Sequence, residues 1–170
     1  MQQIEKTVEE LERDLGIPPS RVVVGGFSQG GAVALLAAYH QRRQGQVPFA
    51  GCVCLSGELC RLCRLFYVAA RRLPTAFAQQ IIPVWMIVIG WLTLKDDLAV
   101  TKEVAQATPL FWGHGQWDDK VLFEQQAEGV NKLRALGVDV TDASYPMAHS
   151  SHPKELEAMA EFVEKVLRKA

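Results

Sequence analysis

Residues 26–30 read Gly-Phe-Ser-Gln-Gly, a serine set between two glycines. Before it runs Arg21-Val22-Val23-Val24-Gly25, rich in β-branched residues, and after it Gly31-Ala32-Val33-Ala34-Leu35-Leu36-Ala37-Ala38, small and helix-forming. A strand that turns directly into a helix over one serine is a nucleophile elbow, and it restricts what can be built around it. The serine sits in strained backbone geometry, so its neighbours have to be small. Its hydroxyl projects clear of the sheet, and the helix N-terminus behind it favours the negative charge that develops at an attacked carbonyl. The bland reading is a glycine-rich turn carrying an incidental serine; the flanking strand and helix weigh against it.

The rest of the chain keeps the rhythm the elbow demands. Ile4, Val8, Leu11 and Leu15 are spaced for an amphipathic helix over 2–15, closed by Gly16 and by Pro18-Pro19. A strand over 21–25, the elbow and a helix over 30–43 follow. The apolar run 49–56 reads as a buried strand, as does 109–113. A helix is expected over 121–136, closing at Gly137, then a short strand from Val138 to near Tyr145-Pro146. Pro153 opens a last helix that runs nearly to the C-terminus. Strands alternating with helices predict an α/β fold with a parallel sheet covered on both faces. A chain of 170 residues is one domain's worth.

Composition excludes some partners. A net charge of −1 leaves no electrostatic footprint for nucleic acid or an anionic membrane. The opening Met1-Gln2-Gln3-Ile4-Glu5-Lys6 is already polar helix without a secretory pattern, which predicts a reducing, cytoplasmic setting. Cys52 and Cys54 share one face of an apolar strand, where cysteine acts as a small hydrophobe. Adding Cys60 and Cys63 gives a spacing unsuited to zinc, so no metal and no cofactor is expected. Residues 73–94 carry no charge, yet they reach membrane-spanning length only by including Pro74, Gln79, Gln80 and Pro83. Phosphate binding by the glycine-rich turn is disfavoured because no Lys-Ser/Thr follows the glycines.

A serine becomes a nucleophile at neutral pH only with a general base, and the base needs an orienting partner. Such partners follow the elbow serine in the order acid, then histidine, on loops after later strands. Asp118 and Asp119 follow the strand 109–113 through His114-Gly115-Gln116-Trp117, and His149 follows the last strand. Loops at the carboxyl ends of parallel strands converge on one edge, so these positions can meet above Ser28. Geometry alone leaves Asp118 and Asp119 open. Of the other histidines, His40 reads as a helix-terminal cation, His114 as a turn-shaping residue and His152 as the solvated start of the last helix.

Gly25-Gly26-Phe27-Ser28-Gln29-Gly30-Gly31-Ala32, His114-Gly115-x-x-Asp118-x-x-Val121 and Ala148-His149-Ser150-Ser151 together resemble the acyl-protein thioesterase family, which includes lysophospholipase-like carboxylesterases. The resemblance covers 1–59 and about 94–170. It implies an α/β-hydrolase fold, Ser28 as nucleophile, Asp118 as orienting acid and His149 as general base. The family reads H-G-D-x-D-P-x-V at the acid turn; here Gln116 replaces its first aspartate and Asp119 its proline. The backbone N–H of Gln29 supplies one oxyanion donor, with a second from an earlier loop in the family. Against that pattern the chain is expected to be an N-terminally truncated, partial hydrolase domain over 1–170 with an atypical insert at 60–93. The implied substrates are acylated proteins or lipid esters, met with at most a transient membrane contact and with no nucleic acid partner. A catalytically inactive fragment or binding protein that keeps the elbow is the alternative.

Overall fold

A computed structural model describes residues 2–40, 46–57 and 100–170. The expected insert at 60–93, with Cys60 and Cys63, and the apolar window 73–94 lie outside the described residues.

Four parallel strands form one sheet in the order β1-β2-β3-β4, with β1 at Val23–Phe27, β2 at Gly51–Leu55, β3 at Leu110–Gly115 and β4 at Val140–Tyr145. The helices are α1 (Gln2–Leu15), α2 (Gln29–Leu35), α3 (Lys102–Ala107), α4 (Phe123–Ala135) and α5 (Pro153–Lys169). The α/β class read from the chain is what is found.

Alternation along each strand sorts the core into two layers. Val24, Cys52, Cys54, Leu110 and Trp112 face one way, against Val8 of α1, Leu35 of α2, Val104 of α3 and Val130 and Leu133 of α4. Val53, Leu55 and Phe111 face the other way, against Phe162 and Val166 of α5. Both sides of β2 are therefore buried, which is why its sequence is continuously apolar. Cys52 and Cys54 are free thiols inside this core, and burial pushes both thiols well above their ordinary pKa, so they remain protonated.

Among the boundary differences from the sequence reading, three stand out. The first strand is Val23–Phe27 rather than 21–25, because Pro19–Arg21 is taken up in a 3-10 turn with Val22 N–H closing onto the Pro19 carbonyl. The elbow helix ends regularly at Leu35 and widens into a π-turn over Leu36–His40. Helix α4 starts at Phe123, two residues beyond the expected 121, because Val121 is drawn into the preceding turn. Helix α3 was not anticipated; its cue is Thr101, whose hydroxyl accepts the Val104 N–H. Gly16 and Gly137 close α1 and α4 as expected, both at positive φ.

Candidate active site

The carboxyl ends of β1, β3 and β4 open on the same edge of the sheet, and each carries one of the singled-out side chains. Ser28 follows β1 directly. Its φ of 55° and ψ of −121° lie outside the regions open to ordinary side chains, the strained turn expected of an elbow. The turn is held from both sides: Ser28 N–H donates to the Leu55 carbonyl at 2.8 Å, and the Ser28 carbonyl accepts from Ala32 N–H at 3.1 Å. A Cβ on Gly26 would collide with the backbone of Gly30, so glycine at 26 is what lets strand and helix close together. Gln29 is the first residue of α2, and its N–H belongs to the first turn, whose donors have no intrahelical acceptor.

The acid turn after β3 is built around one carboxylate. Asp118 Oδ1 accepts the N–H of Lys120 and the N–H of Val121, both at 2.9 Å. Its Oδ2 accepts from His149 Nδ1 at 2.8 Å. Asp119, one residue on, is exposed and pairs with Lys120 at the surface. Of the two aspartates that sequence geometry left open, Asp118 is the one hydrogen-bonded to His149. Burial by itself would raise its pKa, but the hydrogen bonds from Val121, His149 and Lys120 outweigh burial and hold the carboxyl below the usual range.

His149 lies on the loop between β4 and α5. A carboxylate can only accept, so Nδ1 carries the proton and Nε2 is left free to accept. That Nε2 stands 2.9 Å from Ser28 Oγ. Phe27 packs beside the imidazole with ring centroids 4.9 Å apart, limiting its rotation. The two loops are stitched together by Gln116 N–H to the Tyr145 carbonyl (2.9 Å) and Trp117 N–H to the Met147 carbonyl (3.1 Å). A side chain on Gly115 would run into the carbonyl oxygens of Met147 and Ala148, so this glycine allows the histidine loop to cross the acid turn.

Ser28, His149 and Asp118 thus meet in one hydrogen-bonded line, although 121 residues separate serine from histidine. The remaining histidines do other things. His152 caps α5, its Nδ1 accepting the Lys154 N–H, and it stacks on Tyr145 rather than standing in solvent. His114 is wholly buried beneath Asp118. The backbone donors of Lys120 and Val121 were not legible as site groups; only the spacing of Val121 from Asp118 hinted at them.

Comparison with known proteins bears on the family and the fold. The family model of phospholipases and carboxylesterases matches residues 1–74 and 75–167. The chain is 31% identical to acyl-protein thioesterase 1 of Aspergillus fumigatus over 163 residues, which is 95% of this chain and 54% of that protein. It is 30% identical to acyl-protein thioesterase 1 of Cryptococcus neoformans, covering 96% of this chain and 60% of that one. The chain therefore spans a little over half the length of these relatives. Among solved structures, Zea mays acyl-protein thioesterase 2 superposes with a TM-score of 0.57 at 22% identity, covering 98% of this chain and 65% of that one. Bacillus cereus carboxylesterase gives a TM-score of 0.64 at 13% identity, over 97% and 59% respectively. At such identities the superpositions speak for the α/β-hydrolase fold.

Proposed function

Because the chain belongs to the phospholipase/carboxylesterase family, we propose that it is a serine hydrolase that cleaves thioester or carboxylic ester bonds. Its substrates would be acylated proteins or lipid esters. The observation that carries the reading is the unbroken hydrogen-bonded line from Ser28 Oγ through His149 to Asp118. Relatives named acyl-protein thioesterase support the choice of bond.

In this reading Ser28 Oγ attacks the acyl carbonyl while His149 Nε2 takes its proton. The new C–O bond forms as the carbonyl electron pair moves onto oxygen, where the Gln29 N–H and the positive end of α2 stabilise it. Asp118 fixes the imidazole tautomer and stabilises the imidazolium. Collapse of the tetrahedral species breaks the bond to the thiol or alcohol, which leaves with the proton from His149. Water, deprotonated by the same nitrogen, then attacks the acyl-enzyme; the acyl–Oγ bond breaks, Ser28 Oγ takes the proton back from His149 and the carboxylic acid leaves.

We further read residues 1–170 as a single hydrolase domain; the one sheet with a core on each face supports this. We place it in the cytoplasm, meeting acylated substrates through transient membrane contact; the free thiols of Cys52 and Cys54 suit a reducing setting. No helix among the described residues is long and apolar enough to cross a membrane.

A fluorophosphonate probe should label the 170-residue chain at Ser28 and leave Ser28→Ala unlabelled. A folded chain that stays unlabelled, while the Aspergillus relative reacts beside it, would instead support a protein that keeps the elbow without the chemistry.

A further inference from the structure

His114 has no part in the steps above, yet the structure buries its ring completely at the end of β3, where register pairs it with Ser144 of β4. Its Nε2 lies 2.9 Å from the Val121 carbonyl. A carbonyl only accepts, so the proton is on Nε2; Nδ1 finds no partner among the described residues. Burial lowers the imidazole pKa, which keeps the ring neutral, against the opposing pull of the Val121 carbonyl and Asp118. Burying an imidazole with one nitrogen unsatisfied is costly, and an apolar ring would fill the space without that penalty. What the apolar ring would lack is the N–H.

That N–H reaches Asp118 through Val121. Val121 accepts from His114 at its carbonyl and donates to Asp118 Oδ1 at its N–H, so both its main-chain polar groups are engaged at the site. The other carboxylate oxygen, the one that receives His149, lies 3.6 Å from His114 Nε2. This is too long for a hydrogen bond but close enough for the N–H dipole to favour charge there. The acid turn is a loop between β3 and α4, whereas His114 is part of a strand paired with β2 and β4 neighbours.

We propose that His114 is a positioning residue: as the neutral Nε2–H tautomer it ties the acid turn to the sheet and aims the Asp118 carboxylate at His149. The role of Asp118 rests on the hydrolase reading, but the tie itself can be tested without turnover. The variants are His114→Phe, which keeps a planar ring and loses the donor, and His114→Gln, whose amide restores an N–H at the same reach. In the wild-type chain the His149 Nδ1 proton, held by Asp118, should give a slowly exchanging low-field resonance, assigned by its loss in His149→Ala. The expected result is that His114→Phe loses that resonance and falls ~10²-fold in kcat with KM unchanged, the scale on which small misplacement of a catalytic group acts. His114→Gln should recover the resonance and most of kcat. The proposal is overturned if His114→Phe keeps both. It is equally overturned if Gln and Phe are impaired alike or neither variant folds, since restoring the N–H would then restore nothing. A wild-type chain that shows the resonance but no probe labelling would fail the hydrolase reading and leave the positioning result standing.

Discussion

A Cβ placed on Gly26 would collide with the backbone of Gly30, whereas one placed on Gly30 itself would meet nothing within 4 Å. The two glycines of the pentapeptide therefore serve different ends: the first is needed for its missing side chain, the second lends only its backbone to the contact. Gly26→Ala should abolish probe labelling of Ser28 and lower the unfolding temperature, while Gly30→Ala should keep both, since alanine favours the first turn of a helix. Equal loss in the two variants would contradict this division. The adjacent aspartates separate just as sharply. Asp118→Asn should cost about 10⁴-fold in kcat, as removal of the corresponding charge does in the serine-protease template. Asp119→Asn, altering only an exposed pair with Lys120, should leave kcat near wild type. Sequence could not make that choice because both residues occupy one turn. It is made by which carboxylate the backbone N–H groups of Lys120 and Val121 converge on. The strand-turn-helix context of Ser28 and the place of His149 in chain order are, by contrast, visible in one dimension.

Helix α5 brings a carboxyl group, Glu155, against the floor of the sheet, where a side chain on Gly113 would overlap it. Glu155 is fully buried in the first turn of the helix, and neither carboxylate oxygen has a hydrogen-bond partner among the described residues. Desolvation raises its pKa above the ordinary 4.5, only partly opposed by the backbone of His152. A carboxyl whose folded pKa is raised contributes stability below the unfolded value, and that stability is lost as pH rises through the folded one. Glu155→Gln should therefore gain thermal stability relative to wild type as pH is raised from about 4 towards neutrality. Melting curves across that range test it; a pH-independent difference would show that the folded protein does not bind the proton. Asp118 works in the opposite direction: its depressed pKa makes its contribution vanish as pH falls through the folded value, on the acid side of the carboxylate range. None of this could be read from Pro153-Lys154-Glu155, because a glutamate near a helix start is ordinarily a solvated partner of the dipole. Helix α3 is hard to read from sequence for a related reason. Six residues hold too few turns to display a period, and its tertiary contacts, through buried Val104 and Ala105, are what hold it.

The molecule as a whole divides along the strand axis. Ser28, Asp118 and His149 gather at the carboxyl ends of the strands, and a separate polar knot closes the amino ends. There Tyr39, wholly buried at the end of the elbow helix's π-turn, donates its hydroxyl to the Thr108 carbonyl at 3.0 Å. The Thr108 hydroxyl in turn donates to the Phe49 carbonyl at 3.1 Å, joining the segments that lead into β2 and β3. The elbow helix therefore links chemistry at one end to cohesion at the other. That layered plan was legible, since buried parallel strands and amphipathic helices announce themselves by period. The knot was not, because hydrogen bonds between residues 59 and 69 positions apart leave no local pattern. If the two ends are energetically separate, Tyr39→Phe should remove ~1–3 kcal/mol of stability by leaving the Thr108 carbonyl unsatisfied. The same variant should react with the probe at the wild-type rate, because the elbow is held by Leu55 and Ala32 rather than by Tyr39. Denaturant midpoint and labelling rate, measured on one preparation, distinguish the cases. A midpoint shift with unchanged labelling supports the separation. A labelling rate that falls with stability, under conditions where the variant is fully folded, would mean that strain at Ser28 is set by the whole length of the helix and its π-turn.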